Sequence, residues 1–475
     1  MSISFSKKQK TKRNYNNIYG IIIMSSSPDA MAESLNYPNM KRRAVASRSY
    51  RVKISPSNGQ TFTDGQTVNV DIPSNLAGTY INWNQCYLKF NAKSTGAAKL
   101  DRCGAAGFIS RVQCQTAGAQ IFDLPNWNTL MTILMDSDSS PAFKAGVGNV
   151  LMGTLGGTQS GESLTTATAG ATYCVPFVLH PFGMSTPHRL MPLFSSAPVQ
   201  FKLTLESAAV ATKGVSTKID FTEVELVCVF TELSPGAQAQ VDAMSGGVYN
   251  ILASSYQNVG STMVAGSTAV TANLGISVSS LERVIVCHRP TDTVNAQAAY
   301  SLGNRIKNSL SEYSIFVNGE QYPARPVKVE GKCAEALAEF LLSDHSLVNF
   351  DKQSSFNIAV TGAAANLKSN GIDGQSVNGI IQPYQADTAA GTEDGSTADA
   401  VSNIGSFITA IEMETGLSDG RSQRLYSGIS TISSTVNYRG VYSNTSVAAQ
   451  IDYFCQFTIL LSLNSRGTNV WAISV

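Results

Sequence analysis

Residues 311–327 read SEYSIFVNGEQYPARPV, and residues 110–125 read SRVQCQTAGAQIFDLP. In the first, Tyr313, Ile315 and Val317 alternate with Ser314 and Phe316, then Asn318-Gly319 interrupts the run. Asn-Gly supplies positive φ at little steric cost, so the stretch predicts a two-residue β-hairpin. Pro323 and Pro326 lack the N–H that a ladder needs, so the second strand is expected to stop at them. The second stretch carries the same device. With Gly118 set on Gly319, an offset of 201, Ser110 falls on Ser311, Gln120 on Gln321 and Pro125 on Pro326.

The neighbourhoods also correspond. After each hairpin comes an apolar stripe at helical spacing: Trp127, Leu130, Met131 and Leu134 in one, Cys333, Leu337, Phe340 and Leu341 in the other. These predict helices at 126–136 and 333–343. Long small-residue segments come next, 144–172 and 362–405, which read as irregular loops. Strand-like runs then resume. Ile219-Asp220-Phe221 answers Ile451-Asp452-Tyr453, Cys86 lies 201 residues ahead of Cys287, and Tyr50–Ile54 mirrors Tyr249–Ala253. Strands of the first copy are expected near 50–55, 66–72, 79–93, 107–116, 119–124, 173–180, 198–207 and 218–232.

A chain of 475 residues has room for two or three domains. The reading is an all-β protein of two tandem eight-stranded jelly rolls with short flanking helices. Each roll is expected to close as two packed sheets of four with Greek-key links. The expected divisions are an N-terminal arm over 1–44, a first roll over 45–235, a linker over 236–248 and a second roll over 249–475. SPGAQAQVDAMSGG, 234–247, begins in Pro-Gly, ends in Gly-Gly and allows a short helix between.

Charged residues are only 14% of the chain, against roughly 25% in average soluble proteins. Such a surface suits a molecule covered by neighbours. The net charge of +1 hides an asymmetry: residues 1–53 hold eleven Lys/Arg and two acids, +9, and the remainder carries −8. Between 369 and 420 there are eight acids and no Lys or Arg. The basic arm, with Lys7, Lys8, Lys10, Lys12, Arg13, Lys41, Arg42 and Arg43, reads as a tether facing phosphates or another anionic surface. A merely solvated N-terminus is the plainer alternative, and Met24 and Met31 offer alternative starts.

The remaining motifs offer little chemistry. GLSDG at 416–420 matches a nucleophile elbow at Ser418, but all four histidines (His180, His188, His288, His345) precede it, and such hydrolases place histidine after serine. GVGNVLMG lacks the GK[ST] ending of a phosphate loop. No HxH or CxxC pair occurs. His180 and His188 flank PFGMSTP, which reads as an ordinary polar turn. Trp83, Trp127, Trp471 and Tyr322 read as packing residues, and the eight cysteines as mostly buried thiols in a reducing compartment. No catalytic, metal or cofactor site is assigned.

Several stretches resemble the double-jelly-roll major capsid proteins of DNA viruses, of the polinton-like virus and virophage type, with adenovirus hexon more distant. They are GFISRVQCQTAGAQIFDLPNWNTLMTILMD (107–136), HRLMPLFSSAPVQFKLTLE (188–206), SSLERVIVCHRP (279–290) leading to YSIFVNGEQYPARPV, and the block from FITAIEME (407–414) to QIDYFCQFTILLSL (450–463). The resemblance implies a structural, non-enzymatic protein of the virion, assembled inside the host cell. It implies homotrimers that tile an icosahedral shell, with penton and minor capsid proteins as further partners. The arm would face the genome or an internal membrane, and outer loops would meet a host receptor. Two alternatives stand beside it: a tandem β-sandwich attachment or glycan-binding protein, and a capsid protein with one jelly roll and a projecting domain.

Overall fold

The computed structural model describes residues 47–154, 163–164, 170–291, 300–329, 333–344, 360–361, 380–381, 407–414, 427–465 and 469–475. The arm residues Lys7 to Arg43, the elbow-like GLSDG and most of segment 362–405 lie outside the described residues.

The first half supplies β1 (Ser47–Ile54), β2 (Thr67–Ile72), β3 (Thr79–Ile81), β4 (Tyr87–Ser94), β5 (Ile109–Thr116), β6 (Ala119–Pro125), β7 (Ala171–Pro176), β8 (Val199–Leu205) and β9 (Ile219–Leu233). Helices α1 (Trp127–Asp138), α2 (Pro141–Ala145) and α3 (Val147–Met152) come after β6. After α4 (Pro235–Ser245), the second half supplies β10 (Val248–Met263), β11 (Ala269–Asn273), β12 (Leu281–Pro290), β13 (Leu310–Val317), β14 (Glu320–Lys328), α5 (Ala334–Ser343), β15 (Thr409–Glu412), β16 (Val436–Tyr442), β17 (Ala449–Asn464) and β18 (Trp471–Ser474).

These strands form the same pair of antiparallel sheets twice. In the first half, β1, β9, β3 with β4, and β7 lie side by side, and β2-β8-β5-β6 face them. In the second, the orders are β10-β17-β12-β15 and β11-β16-β13-β14. Position for position these are one arrangement, a jelly roll followed by a jelly roll. Alternation builds each sandwich. In β8, Val199, Phe201, Leu203 and Leu205 point inward while Gln200, Lys202 and Thr204 are half-buried. Each such apolar side chain contributes roughly 1.5–3 kcal/mol by leaving water.

The hairpins take the predicted form. Asn318 and Gly319 have φ of 51° and 86°, Ala117 and Gly118 of 48° and 84°, with Val317 opposite Glu320 and Thr116 opposite Ala119. The strand after Asn-Gly does not stop at the prolines, however. β14 runs through Pro323 and Pro326 to Lys328, and the register jumps from Ile315–Tyr322 to Tyr313–Val327, so residues 323–326 bulge. β14 is the edge of its sheet, where missing donors cost nothing.

Other expectations are also corrected. The strand expected over 79–93 is broken into β3 and β4 by a 3₁₀ turn at Trp83–Gln85, which sinks Trp83 into the core. Segment 144–172, expected to be irregular, begins with α2 and α3. PFGMSTP does turn, with the Gly183 and Met184 N–H groups donating to the His180 carbonyl, but the His180 side chain is not a polar surface group. It is fully buried, 4.4 Å from Trp83 and 4.9 Å from both Phe177 and Phe201 by ring centroids. Between the halves, the Ser234 hydroxyl accepts the Ala237 N–H at the start of α4, and Gly246, at φ 64°, ends the helix.

Candidate functional site: the seam between the two rolls

The described residues place their most concentrated buried polar chemistry where one roll meets the other. Helix α1 is the central element. The two helices that come after the hairpins start alike, from left-handed residues: Asn126 at φ 53° and Cys333 at φ 56°. They are then covered very differently. Ten of the twelve residues of α1 are buried, against three of ten in α5. The single apolar stripe read for α1 is thus only part of its packing, since Asn128, Thr129, Thr132, Asp136 and Ser137 are buried too.

Both ends of α1 reach the second roll. At its start, the Asn126 amide donates to Asp452 Oδ1 at 3.0 Å and to Asn258 Oδ1 at 3.3 Å. Asp452 is also held by Arg289, whose Nη2 lies 2.7 Å away. Burial opposes the charge of the Arg289 guanidinium, but Asp452 outweighs it and raises the pKa. Toward its end, Asp136 receives Lys144 Nζ at 2.5 Å, Arg305 from the second roll, and Arg102 at 3.6 Å. Burial alone would raise the Asp136 pKa; Lys144, Arg305 and Arg102 override it and hold the carboxyl well below its usual range. All four side chains are buried.

Backbone contacts close the seam around this group. Asp101 accepts the N–H of Leu302 at 2.9 Å and of Gly303 at 3.0 Å. Gly303 permits the approach, because a Cβ there would stand 2.5 Å from Asp101 Oδ1. Farther along, Thr186 N–H donates to the Leu252 carbonyl at 3.0 Å, and Ser196 N–H to the Asn469 carbonyl at 2.7 Å. Phe194 meets Tyr249, and Phe182 meets Trp471, edge to face at 4.9 and 5.1 Å. Strand β6 lies against β10. The outward face of the β10-β17-β12 sheet is therefore buried like its inward face, and all ten residues of β12 are buried. Removing one member of such a buried charge group costs about 3–5 kcal/mol, because it strands the others. The arrangement fixes the angle between the rolls.

Nothing at the seam has the form of a reaction centre. A cleft beside it, of about 40 Å³, is lined by Glu282, Arg283, Asp344, Glu412, Glu414 and Gln456. Small-molecule sites run to roughly 300–1,000 Å³. Among the described residues no group of His, Cys, Asp and Glu is placed to hold a metal ion. Seven cysteines are buried and Cys174 is half-buried, all as free thiols. Burial pushes Cys103, Cys287 and Cys455 up to about 12, which keeps them protonated and unreactive. Trp83, Trp127 and Trp471 are buried, and Tyr322 packs half-buried against the core.

No protein-family model matches the sequence, and no curated protein matches it. Solved structures do. A chain of the PBCV-1 virus capsid aligns over 92% of this chain and 99% of its own length, with a TM-score of 0.57 at 11% identity. The fold is the double jelly roll of viral capsid proteins. The Faustovirus major capsid protein aligns over 91% of this chain and 93% of its own, with a TM-score of 0.53 at 9% identity. The mavirus major capsid protein covers 94% and 95%, with a TM-score of 0.51 at 10% identity.

Sequence reasoning did not find the seam. Its members lie far apart, Asp136 and Arg305 by 169 residues, and no local pattern marks them. Two signals were present. LERVIVCHRP carries hardly any alternation for an antiparallel strand, which points to cover on both faces. The polar residues of α1 before Asp136 are Asn and Thr, where α5 has Glu335 and Glu339.

Proposed function

We propose that this chain is a structural protein of a viral shell, a major capsid protein that associates with itself into trimers and then into an icosahedral lattice in the virion. The observation that carries the reading is the pair of rolls with one strand order, joined by the buried Asp136–Arg305 ion pair and the Asn126–Asp452 hydrogen bond. Two like wedges in one molecule make six in a trimer, an outline that tiles a surface. Cysteines that form no disulfide suit assembly in a reducing cell interior.

The divisions proposed are an arm over 1–44, rolls over 45–235 and 249–475, and a linker over 236–248. Lys7, Lys8, Lys10, Lys12, Arg13, Lys41, Arg42 and Arg43 are assigned to the shell interior, where genome phosphates or anionic lipid would complement them. Segment 362–405 and the part of 144–172 beyond α3 are assigned to the outer face and to receptor contact, Lys144 itself being buried at the seam, and penton and minor capsid proteins complete the partners. The role is geometric, with no reaction assigned.

The test is the association state of the purified full chain. Light scattering at micromolar concentration should return the mass of a trimer, and negative-stain microscopy should show three-fold or pseudo-hexagonal outlines. A monomer under these conditions overturns the reading.

A further inference from the structure

The seam covers the outward face of the second roll's β10-β17-β12 sheet, where Tyr256, Phe454, Asp452 and Cys287 are buried. The first roll has the same face, built from β1, β9 and β4, and there it is open. Arg51 and Lys53 on β1 are exposed and Lys89 on β4 is half-buried. Glu225 on β9 lies 2.9 Å from Lys53 and 3.7 Å from Lys89, and Glu223 lies 3.3 Å from Lys89. Arg51 has no ion-pair partner among the described residues.

The elements that repeat α1 and β6 are α5 and β14, and they too are open. With Cys333 before it, α5 turns Ala336, Phe340 and Ser343 inward. Its other side presents Glu335, Glu339 and Leu342, spaced i, i+4, i+7, and Leu342 is 38% exposed. Neither glutamate has an ion-pair partner among the described residues. β14 beside it exposes Ala324, Arg325 and Lys328, to which the exposed Glu223 of the open sheet is complementary.

We propose that the acidic side of α5, with the edge of β14, docks on the open β1-β9-β4 face of a second copy of this chain. This repeats between molecules the contact that α1 and β6 make within one. It rests on the capsid reading for the trimer and goes beyond it by naming the two surfaces. Charge selects the occupant: two carboxylates without ion-pair partners meet a strand with an excess of cations. The chain's own N-terminal segment is an unsuitable cover, because Lys41, Arg42 and Arg43 would repel Arg51 and Lys53. The two surfaces differ from each other, so the contact is head-to-tail, which in the trimer of the capsid reading closes as a ring rather than as a two-fold dimer.

The experiment exchanges the charges in the full chain. One variant carries Arg51→Glu with Lys53→Glu, a second Glu335→Lys with Glu339→Lys, and a third all four. Light scattering over a dilution series should show each reversed pair dissociating at a concentration at least about tenfold higher than the wild type. The four-substitution variant should return to within about threefold of wild type, which a folding defect would not allow. If a reversed pair associates like the wild type, or the exchange restores nothing while the wild type is trimeric, this pairing is wrong and the capsid reading stands. If the wild type is monomeric, both fall.

Discussion

Helices α1 and α5 come after the same hairpin in two copies of one fold, yet one is buried within its own molecule and the other leaves Glu335 exposed and Glu339 half-exposed. The difference lies in what covers each helix. The β10-β17-β12 sheet covers α1, and among the described residues no such sheet covers the Glu335 side of α5. Their sequences have diverged to match: α1 carries Asn and Thr where it packs and commits Asp136 to three buried cations, whereas α5 keeps Glu335 and Glu339.

That contrast breaks most sharply at the ion pairs. Asp136→Ala strands Lys144, Arg102 and Arg305 in the interior, and Asp452→Ala strands Arg289. Each should cost about 3–5 kcal/mol, read as a lower urea midpoint. Glu225→Ala, on the open face of the first roll, should cost less than about 1 kcal/mol in the isolated subunit, since exposed pairs contribute little. Equal losses at Asp452 and Glu225 would mean that the two faces are not differently covered.

Acid tests the two cores against each other. Among the described residues each roll buries one neutral histidine. Burial lowers His180 to about 3 and His288 to about 4, and His288 Nε2 lies 2.7 Å from the Tyr442 hydroxyl. The unfolded chain takes up protons on these rings below about pH 6.5, and the folded chain does not until near pH 4 and pH 3. Their contribution is therefore complete above pH 6.5 and is lost as pH falls toward the folded values. Between pH 6.5 and 5 the two together should remove on the order of 3 kcal/mol. His288→Gln should flatten about half of that slope in urea titrations at pH 7 and 5, and an unchanged slope would show that His288 is not buried neutral.

The smallest effect compares the hairpins. Ala117 sits at φ 48° where its counterpart is Asn318 at 51°. An alanine in this region costs about 1 kcal/mol that asparagine largely avoids. Ala117→Asn should stabilise by about 0.5–1 kcal/mol, and Asn318→Ala should destabilise by a similar amount. A pair of changes of the same sign would show that the turns are not equivalent.

How much the sequence revealed depends on the range of the forces involved. The hairpins were legible because positive φ is a local demand, and the strands because alternation repeats every two residues. The helices were located from Trp127, Leu130 and Met131 and from Leu337 and Phe340. The break at Trp83 was not legible, since one buried indole gives no periodic signal. The bulge at Pro323 was misread as an end because the edge position of β14 is a property of the sheet. His180 was misread because a histidine among turn residues is polar by type, and only its aromatic neighbours make it core.

The 169 residues between Asp136 and Arg305 also bear on how the molecule is made. As the polypeptide leaves the ribosome, α1 emerges long before the strands that enclose it have been translated. Until the second roll exists, Asp136 lacks Arg305 and Asn126 lacks Asp452, so a chain cut short displays an unfinished flank. Completion of synthesis thereby becomes a condition for closing the seam, enforced by the fold without a separate inspector.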